Sequence, residues 1–338
     1  MHPVLGKHAP SGTTHTARGN KSKRVFKSQG GTGMNVLVVG HGFVGGALSL
    51  GMSHGCNVTT YDIKKGVFIY TPSMTSHLCI EESPPLKFFV TDEIDVVFVC
   101  LPTPMNQDGS CNLDIVKRAI FDLDKYAEEV GIVLPVIIKS TVPPGTTRDI
   151  NDCCDNLEVM FSPEFLTEAN SIDDFKNQDR ILIGTTSPES IYAVTVSKLF
   201  DETYPGIVQY ITQPETMEMV KYVTNCFLAT KVSFANEIYQ LCQAIGVNYD
   251  LMINTAKLDK RLGESHWQVP GPMPLDDGSN KPPLGWGGSC FPKDTNSLMY
   301  FAKQHGIDLK VLKGAIEKNY EVRPEKDWLN LKGRAVTE

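Results

Sequence analysis

The chain has 338 residues, of which 41% are hydrophobic and 21% charged, and its formal net charge at pH 7 is -7. This length and composition predict a globular protein with one large core or two joined domains. No run approaches the roughly 18 apolar residues that span a bilayer, and the nine cysteines lack the spacing of a zinc ribbon or a disulfide framework, so we expect a cytoplasmic protein with no membrane contact and no metal.

Residues 1–33 differ from the rest of the chain. They contain Lys and Arg but no Asp or Glu, so the acidic excess lies entirely beyond them. They are rich in Gly, Ser, Thr and His and have almost no apolar periodicity, which predicts a disordered leader. A basic leader could serve as a nucleic-acid-binding arm or a targeting peptide, but aromatic residues do not alternate with its charges and Met34 offers an alternative start. We therefore predict an inert extension and no nucleic-acid partner.

A dinucleotide fingerprint begins at Met34. An apolar run leads into Gly40-x-Gly42-x-x-Gly45, which opens a helix, and a second strand ends in Asp62. The glycines allow a tight turn and a close approach of backbone to pyrophosphate, and the helix N-terminus supplies N–H groups. We therefore predict a Rossmann-type parallel sheet in which the turn, including Phe43 and Val44, binds the cofactor.

The acid after the second strand selects the cofactor. Asp62 is placed to bind a ribose 2'-hydroxyl and would repel a 2'-phosphate, so the sequence favours NAD over NADP. Lys64 and Lys65 lie close enough to soften that preference.

The sheet continues with the apolar run IDVVFVC at 94–100, a helix around 112–129 and a strand at 132–139. Each strand leads into a loop at the carboxyl edge, where such sheets bind ligands. We expect Thr103 and Pro104 to line the cofactor, and the hydroxyl of Thr141 to meet cofactor or substrate unless it only caps its strand.

An acidic cluster follows in FSPEFLTEANSIDDF, residues 161–175. Glu164 and Glu168 are four residues apart, so on a helical turn both carboxylates would share one face, an unfavourable pairing unless it is used or compensated. A solvated face is the alternative. The neighbouring Pro163 and Phe165 favour a functional Glu164.

Apolar residues recur at helical spacing from 213 to 247, which predicts one long helix. Its apolar circumference exceeds what one layer can cover, so we expect a helix that crosses between domains and forms a dimer surface. Lys221 and Asn225 share one face of it. A buried lysine of this kind acts as a base or stabilises an oxyanion, whereas a snorkelling lysine is the alternative.

One thiol stands in an unusual setting. Cys290 follows a glycine-rich turn and precedes Lys293 and Asp294 in GWGGSCFPKDT, which is typical of a reactive thiol or of a tight loop. Beside a nicotinamide, a thiol indicates that an aldehyde is captured as a thiohemiacetal, oxidised to a thioester and hydrolysed.

From 34 to 335 the chain resembles the nucleotide-sugar dehydrogenases that oxidise UDP-glucose or GDP-mannose. The resemblance rests on GHGFVG, LPTP, STVPPGTT, SPEFLTEA, VKYVTNCFLATKVSFANEI and GWGGSCFPKD. It implies that Cys290 is the nucleophile, that Lys221 and Asn225 support the oxyanion, and that two NAD molecules are used in succession. The remaining catalytic residues implied are Asp294 with Thr141 for the proton of the water, and Glu164 with Glu168 for acid–base work and thioester hydrolysis.

The same resemblance implies a homodimer and a UDP-sugar substrate. Arg261 matches a family arginine that reaches the substrate of the neighbouring subunit. The other residues expected to contact substrate are Phe165, Leu166, Lys221, Asn225, Gly287 and Gly288, and Lys293 is expected to contact the cofactor. Phe291 is similar to the UDP-glucose enzymes, so UDP-glucose is favoured over GDP-mannose or another nucleotide sugar.

These patterns divide the chain into a leader (1–33), an NAD-binding domain (34–211), a helical central and dimerisation domain (212–325) and a C-terminal tail (326–338). Family members usually continue into a third domain that holds the nucleotide, and the chain stops where its first strand would start, so we expect a short form. Two other functions stay open: a hydroxyacid dehydrogenase, which the thiol argues against, and an NAD-binding interaction protein without turnover.

Overall fold

The computed structural model describes residues 33–72, 78–81, 83–166, 171–272 and 283–338. The strands are β1 Asn35–Val39, β2 Asn57–Asp62, β3 Gly66–Tyr70, β4 Leu78–Ile80, β5 Val96–Val99, β6 Leu134–Ile138, β7 Leu157–Phe161, β8 Ile181–Gly184 and β9 Gln209–Thr212. The helices are α1 Phe43–Met52, α2 Asp114–Val130, α3 Thr146–Asp152, α4 Ser171–Lys176, α5 Ile191–Thr203, α6 Pro214–Ile245, α7 Tyr249–Ala256, α8 Cys290–Gln304 and α9 Lys310–Val322.

The strands form one mostly parallel sheet. Over the described part of the chain the order is β4-β3-β2-β1-β5-β6-β7-β8-β9. β1 lies between β2 and β5 and is parallel to both, with Val38 opposite Thr60 and Phe98. Since the chain crosses over in opposite directions on the two sides of β1, the carboxyl end of β1 is the topological switch point at which such sheets bind ligands. The Rossmann-type sheet predicted from the sequence is confirmed.

Apolar runs place both faces of this sheet in the core. Leu37 and Val97 face a cluster that includes α2, whereas Val36 and Phe98 face a second cluster with α1 and α5. The strand predicted at 94–100 is shorter, Val96–Val99, and all of its residues are buried. Helices on both faces are what an uninterrupted apolar strand requires.

The sheet extends further than the sequence predicted. β3 and β4 were not predicted, and they extend the sheet as antiparallel strands beyond β2. Residues 162–166 after β7, which include Glu164, are not helical. Ser162 precedes Pro163, and a residue before a proline is disfavoured in the helical region, which agrees with a non-helical start of this segment.

The long helix is confirmed as α6, with 32 residues. Pro214 stands in its first turn, where its missing N–H is harmless, and Gly246 ends it with φ +76°. Lys221 and Asn225 are both buried on the side that faces the sheet and α8. Among the described residues, none of the helices combines the length and the apolar composition that crossing a membrane requires.

Residues 326–338 pack against the rest of the protein. Trp328 is buried and stacks on Trp286 at 6.1 Å between ring centroids. Further on, the Met105 N–H donates to the Ala335 carbonyl at 2.9 Å, and the Thr337 N–H donates to the Met105 carbonyl at 2.9 Å. This segment therefore connects the loop after β5 with the turn that precedes α8.

Candidate active site

The glycine turn after β1 has the shape that a pyrophosphate needs. Gly40 has φ +102°, and a Cβ on it would lie 2.5 Å from the Cys100 carbonyl oxygen. A Cβ on Gly45 would lie 1.9 Å from the Gly40 carbonyl oxygen, so these two positions admit only glycine. Gly42 is exposed and has nothing within 4 Å of its Cβ position. Phe43 and Val44 follow as the first residues of α1, whose first-turn N–H groups have no partner within the helix.

Asp62 ends β2 beside this turn. Its carboxylate accepts from the His41 N–H at 2.8 Å, from the Lys64 N–H at 2.9 Å and from the Lys65 N–H at 3.0 Å. Burial raises the pKa of Asp62, but these backbone N–H groups and the Lys65 charge outweigh burial, so the pKa is below its ordinary value. An ionised carboxylate with lone pairs to spare at the edge of the turn fits the ribose hydroxyls of NAD.

The loops after β5 and β6 join at the same edge. The Thr103 hydroxyl donates to the Thr141 carbonyl at 2.9 Å, and Cys111 Sγ lies 3.8 Å from that oxygen. Thr103, Pro104 and Thr141 are all buried. The residues that the sequence assigned to cofactor or substrate therefore form one wall, although their roles stay predictions.

Glu164 and Lys221 form a buried ion pair. Lys221 Nζ lies 3.0 Å from Glu164 Oε1 and 2.5 Å from the Glu164 carbonyl oxygen, and the two side chains are 5% and 10% exposed. The other carboxylate oxygen accepts from the Leu166 N–H at 2.7 Å. Burial raises the pKa of Glu164, but Lys221, the Leu166 N–H and Lys139 outweigh burial, so the pKa is lowered. Glu164 is thus a carboxylate at neutral pH.

Cys290 is the first residue of α8, and the same helix carries two charged residues of the site. Lys293 Nζ lies 2.6 Å from Asp294 Oδ1, and Asn225 Nδ2 donates to Asp294 Oδ2 at 2.6 Å. Asp294 is 1% exposed. The long helix α6 therefore supplies Lys221 to one carboxylate and Asn225, one turn later, to the other.

The thiol of Cys290 lies among all of these charges. Burial raises its pKa, Asp294 and Glu164 raise it further, and Lys293 and Lys221 lower it, with a net pKa above the ordinary thiol value. Its position at a helix N-terminus favours the thiolate. The resting thiol is therefore protonated at neutral pH, with two cations in place to stabilise a developing negative charge.

The glycine turn before Cys290 is fixed by contacts with Asn319 and Arg323. The Trp286 N–H donates to Asn319 Oδ1 at 2.7 Å, and Asn319 Nδ2 donates to the Trp286 carbonyl at 3.0 Å. Gly287 packs on the buried guanidinium of Arg323, and Gly288 has φ +69°. The turn that precedes the thiol is thereby attached to α9.

The remaining predicted residues lie in different places. The Phe165 ring lies 5.5 Å from Lys221 Nζ, which keeps it at the ion pair. Arg261 stands on a 3-10 turn with its side chain 89% exposed and its guanidinium bound to Asp259, so the structure does not bring it to Cys290 of its own chain. Glu168 lies outside the described residues.

Sequence reasoning missed two buried residues at this edge. Lys139 follows β6 and is 4% exposed, with Nζ donating to the Pro163 carbonyl at 3.0 Å. Glu218 on α6 is 0% exposed and accepts from the Gly145 and Thr147 N–H groups at 2.6 and 2.8 Å. Lys139 could have been noticed as a single lysine directly after an apolar strand. Glu218 gives no such signal, because its hydrogen-bond partners are distant in the sequence.

Comparison with known proteins identifies the family of this chain. A model of the UDP-glucose/GDP-mannose dehydrogenase family NAD binding domain matches residues 80–204, and one of the central domain of that family matches residues 215–321. The chain is 33% identical over 317 residues to a UDP-glucose 6-dehydrogenase of Rickettsia typhi, with 86% of this chain and 68% of that protein covered. The chain belongs to the UDP-glucose/GDP-mannose dehydrogenase family.

Other members of the family give the same result. The chain is 32% identical over 309 residues to a UDP-glucose 6-dehydrogenase of Bacillus subtilis, with 85% of this chain and 66% of that protein covered. A solved UDP-glucose dehydrogenase of Pyrobaculum islandicum has a TM-score of 0.71 at 27% identity, covering 88% of this chain and 70% of that one.

The family consists of NAD-dependent nucleotide-sugar dehydrogenases, so the enzyme class and the cofactor predicted from the sequence are confirmed.

Proposed function

We propose that this family member oxidises UDP-glucose to UDP-glucuronate by a thiol mechanism at Cys290. The observation that carries the proposal is the placement of Cys290 at the start of α8 between two ion pairs, Lys221 with Glu164 and Lys293 with Asp294. A hydride transfer between alcohol and ketone needs no thiol, whereas oxidation of an aldehyde to an acid does use one. The relatives called UDP-glucose 6-dehydrogenases support UDP-glucose as the sugar.

The first oxidation converts the C6 alcohol to an aldehyde. When bound, NAD accepts the hydride in each of the two oxidations. Lys221 uses two of its three N–H donors on Glu164, and Asn225 uses one of its two on Asp294. One donor from each residue is left for the oxygen at C6, which develops negative charge as its proton leaves.

The second oxidation uses the thiol. Cys290 Sγ bonds to the aldehyde carbon and its proton ends on the former carbonyl oxygen, which gives the thiohemiacetal. Lys293 and Lys221 offset the charge on sulfur while the bond forms, since both lower the pKa of Cys290. Loss of hydride and proton from the thiohemiacetal leaves a thioester on Cys290.

Hydrolysis completes the reaction. A water attacks the thioester carbonyl, the carbon–sulfur bond breaks, and the thiol takes up a proton. Glu164 suits the role of base for this water, because its lowered pKa keeps it ionised at neutral pH. Asp294 holds Asn225 in place through their 2.6 Å hydrogen bond, and the family resemblance assigns Asp294 and Thr141 to the proton of this water. The balance is one alcohol, two NAD+ and one water giving one carboxylate, two NADH and three protons.

We also propose that the working enzyme is a homodimer through α6. On this helix Val223, Phe227, Phe234 and Leu241 are 55%, 66%, 50% and 54% exposed. These residues are spaced by four and seven positions, so they lie on one side of the helix and form a single apolar stripe. A continuous exposed stripe of this kind indicates an interaction surface, whereas exposed apolar residues that stand alone do not. Light scattering on wild type and Phe227→Glu tests the interface, since a charge on the stripe should release monomers.

The test of function counts NADH formed per sugar consumed. We expect two NADH per UDP-glucose from the wild type, with less activity toward GDP-mannose, and arrest before the acid in Cys290→Ser. If NAD binds but no nucleotide sugar yields NADH, the chain is a binding protein without turnover. A single NADH per sugar would limit the reaction to the alcohol oxidation.

A further inference from the structure

Lys139 is a buried cation to which the proposed mechanism gives no role. It follows β6, and its Nζ donates to the Ser162 hydroxyl at 3.2 Å and to the Pro163 carbonyl at 3.0 Å. Its backbone N–H donates to the Val99 carbonyl at 2.9 Å. One residue therefore connects the carboxyl ends of β5, β6 and β7, immediately before Glu164.

The partners of this lysine are neutral. Among the described residues no carboxylate lies within ion-pair distance of its Nζ, although the side chain is almost fully buried. A buried charge without a direct counter-ion lowers stability, and an apolar side chain of similar length would avoid that cost. A group kept at such a cost is a candidate for a functional role.

We propose that Lys139 is a positioning residue for Glu164: through Ser162 and Pro163 it fixes the segment that presents Glu164 to Lys221, and it adds a buried positive charge near that ion pair. This inference rests on the proposed function, in which Glu164 acts as a base. The geometry supports it because Glu164 meets Lys221 through both its carboxylate and its backbone carbonyl. Both contacts depend on the course of the chain through Ser162 and Pro163.

Electrostatics agree with this arrangement. Burial lowers the pKa of Lys139 to about 8, although Cys100 and Glu164 raise it. Lys139 in turn is one of the groups that lower the pKa of Glu164. The other titratable groups that face Glu164 are Lys221 on α6, Cys100 after β5 and Cys290 on α8.

The first test requires no turnover. A double-mutant cycle compares the urea midpoints of wild type, Lys139→Met, Glu164→Gln and the double variant at neutral pH. We expect Lys139→Met to shift the midpoint by a different amount in the Glu164→Gln background, because two residues in one network couple. Lys303→Met, an exposed lysine of α8, is the matched control and should be additive with Glu164→Gln. Additive midpoints for Lys139 would overturn the proposal.

The second test uses the pH profile of kcat/KM for NADH formation from UDP-glucose. Activity falls on the acid side as Glu164 becomes protonated, and loss of the neighbouring cation raises the Glu164 pKa. We therefore expect the acid limb of Lys139→Met to move to higher pH. Lys139→Gln keeps donors for Ser162 and Pro163 without the charge, so it should show the same shift with a smaller loss of stability.

The two tests separate the two claims. If the Lys139→Gln enzyme is active and the acid limb of its kcat/KM profile lies at the same pH as in the wild type, the electrostatic role is refuted. If no variant or wild type turns over UDP-glucose, the proposed function fails, and the midpoint cycle alone decides whether Lys139 positions Glu164.

Discussion

Replacing Gly287 with alanine should damage the turn that precedes Cys290. A Cβ at this position would lie 2.6 Å from Cζ and Nη2 of Arg323. Arg323 is 1% exposed and holds Asp327 through contacts of 2.6 and 2.7 Å, so it cannot move aside and keep its partner. Overpacking of this kind costs about 1–3 kcal/mol, and the loss approaches about 3–5 kcal/mol if the buried pair breaks.

The matched control is Gly314→Ala. Gly314 lies within α9 and has nothing within 4 Å of its Cβ position, so alanine should raise the unfolding free energy by about 0.5–1 kcal/mol. Urea unfolding followed by circular dichroism measures both variants. Cys290 lies three residues after Gly287, so a distorted turn should displace its thiol. A displacement of about 1 Å lowers catalysis about 100-fold, and we expect a loss of that size in kcat of Gly287→Ala. A Gly287→Ala protein as stable and as active as wild type would show that the Arg323 guanidinium does not restrict position 287.

Three further predictions follow from the same contacts. Asp294→Asn should increase the alkylation rate of Cys290, because Asp294 raises the pKa of that thiol. Iodoacetamide labelling followed by peptide mass spectrometry measures this rate, with exposed Cys153 as the internal reference. An unchanged ratio of the Cys290 rate to the Cys153 rate would contradict the prediction. Glu218→Gln should lower the unfolding free energy by about 1.5–3 kcal/mol, because an amide cannot accept from both N–H groups at the start of α3; an unchanged urea midpoint would exclude this role. Asp62→Ala should weaken NAD binding at least about 10-fold, because one hydrogen bond to a charged group is lost. In fluorescence titration the variant should also bind NADP better relative to NAD than the wild type does. Equal weakening of the affinity for both cofactors would contradict this prediction.

The pH dependence of stability gives a fifth prediction. The folded pKa of Lys139 is about 8, below its ordinary value, so burial of the charged form costs stability at all pH values below 8. That cost disappears as the pH rises through 8 toward the unfolded pKa of about 10.4. The urea midpoint of wild type should therefore rise relative to Lys139→Met over this range. A constant difference between the two proteins would show that Lys139 has the same pKa folded and unfolded.

Local patterns in the sequence predicted the dinucleotide half of the fold and the helix that carries Lys221. Gly40, Gly45 and Asp62 are spaced by the geometry of one strand–turn–helix–strand unit, so short-range reasoning finds them. The helical period of α6 likewise placed Lys221 and Asn225 on one face. These predictions depend only on neighbours in the chain.

The rest of the site depends on contacts that are distant in the sequence. The ion pair of Glu164 with Lys221, and the hydrogen bond from Lys221 to the Glu164 carbonyl, join residues 57 positions apart, which local patterns do not reveal. Lys139 and Glu218 bind backbone groups of other elements, which composition and periodicity do not reveal. β3 and β4 are short and partly exposed, so their pattern is too weak to be recognised.

The central claim is that Cys290 carries the sugar as a thioester. We would quench the Glu164→Gln enzyme, whose thioester hydrolysis should be slow, during reaction with UDP-glucose and NAD, and examine the peptides by mass spectrometry. We expect a UDP-glucuronyl group on the peptide that contains Cys290, released by hydroxylamine. An unmodified Cys290, together with full NADH formation by Cys290→Ala, would contradict it.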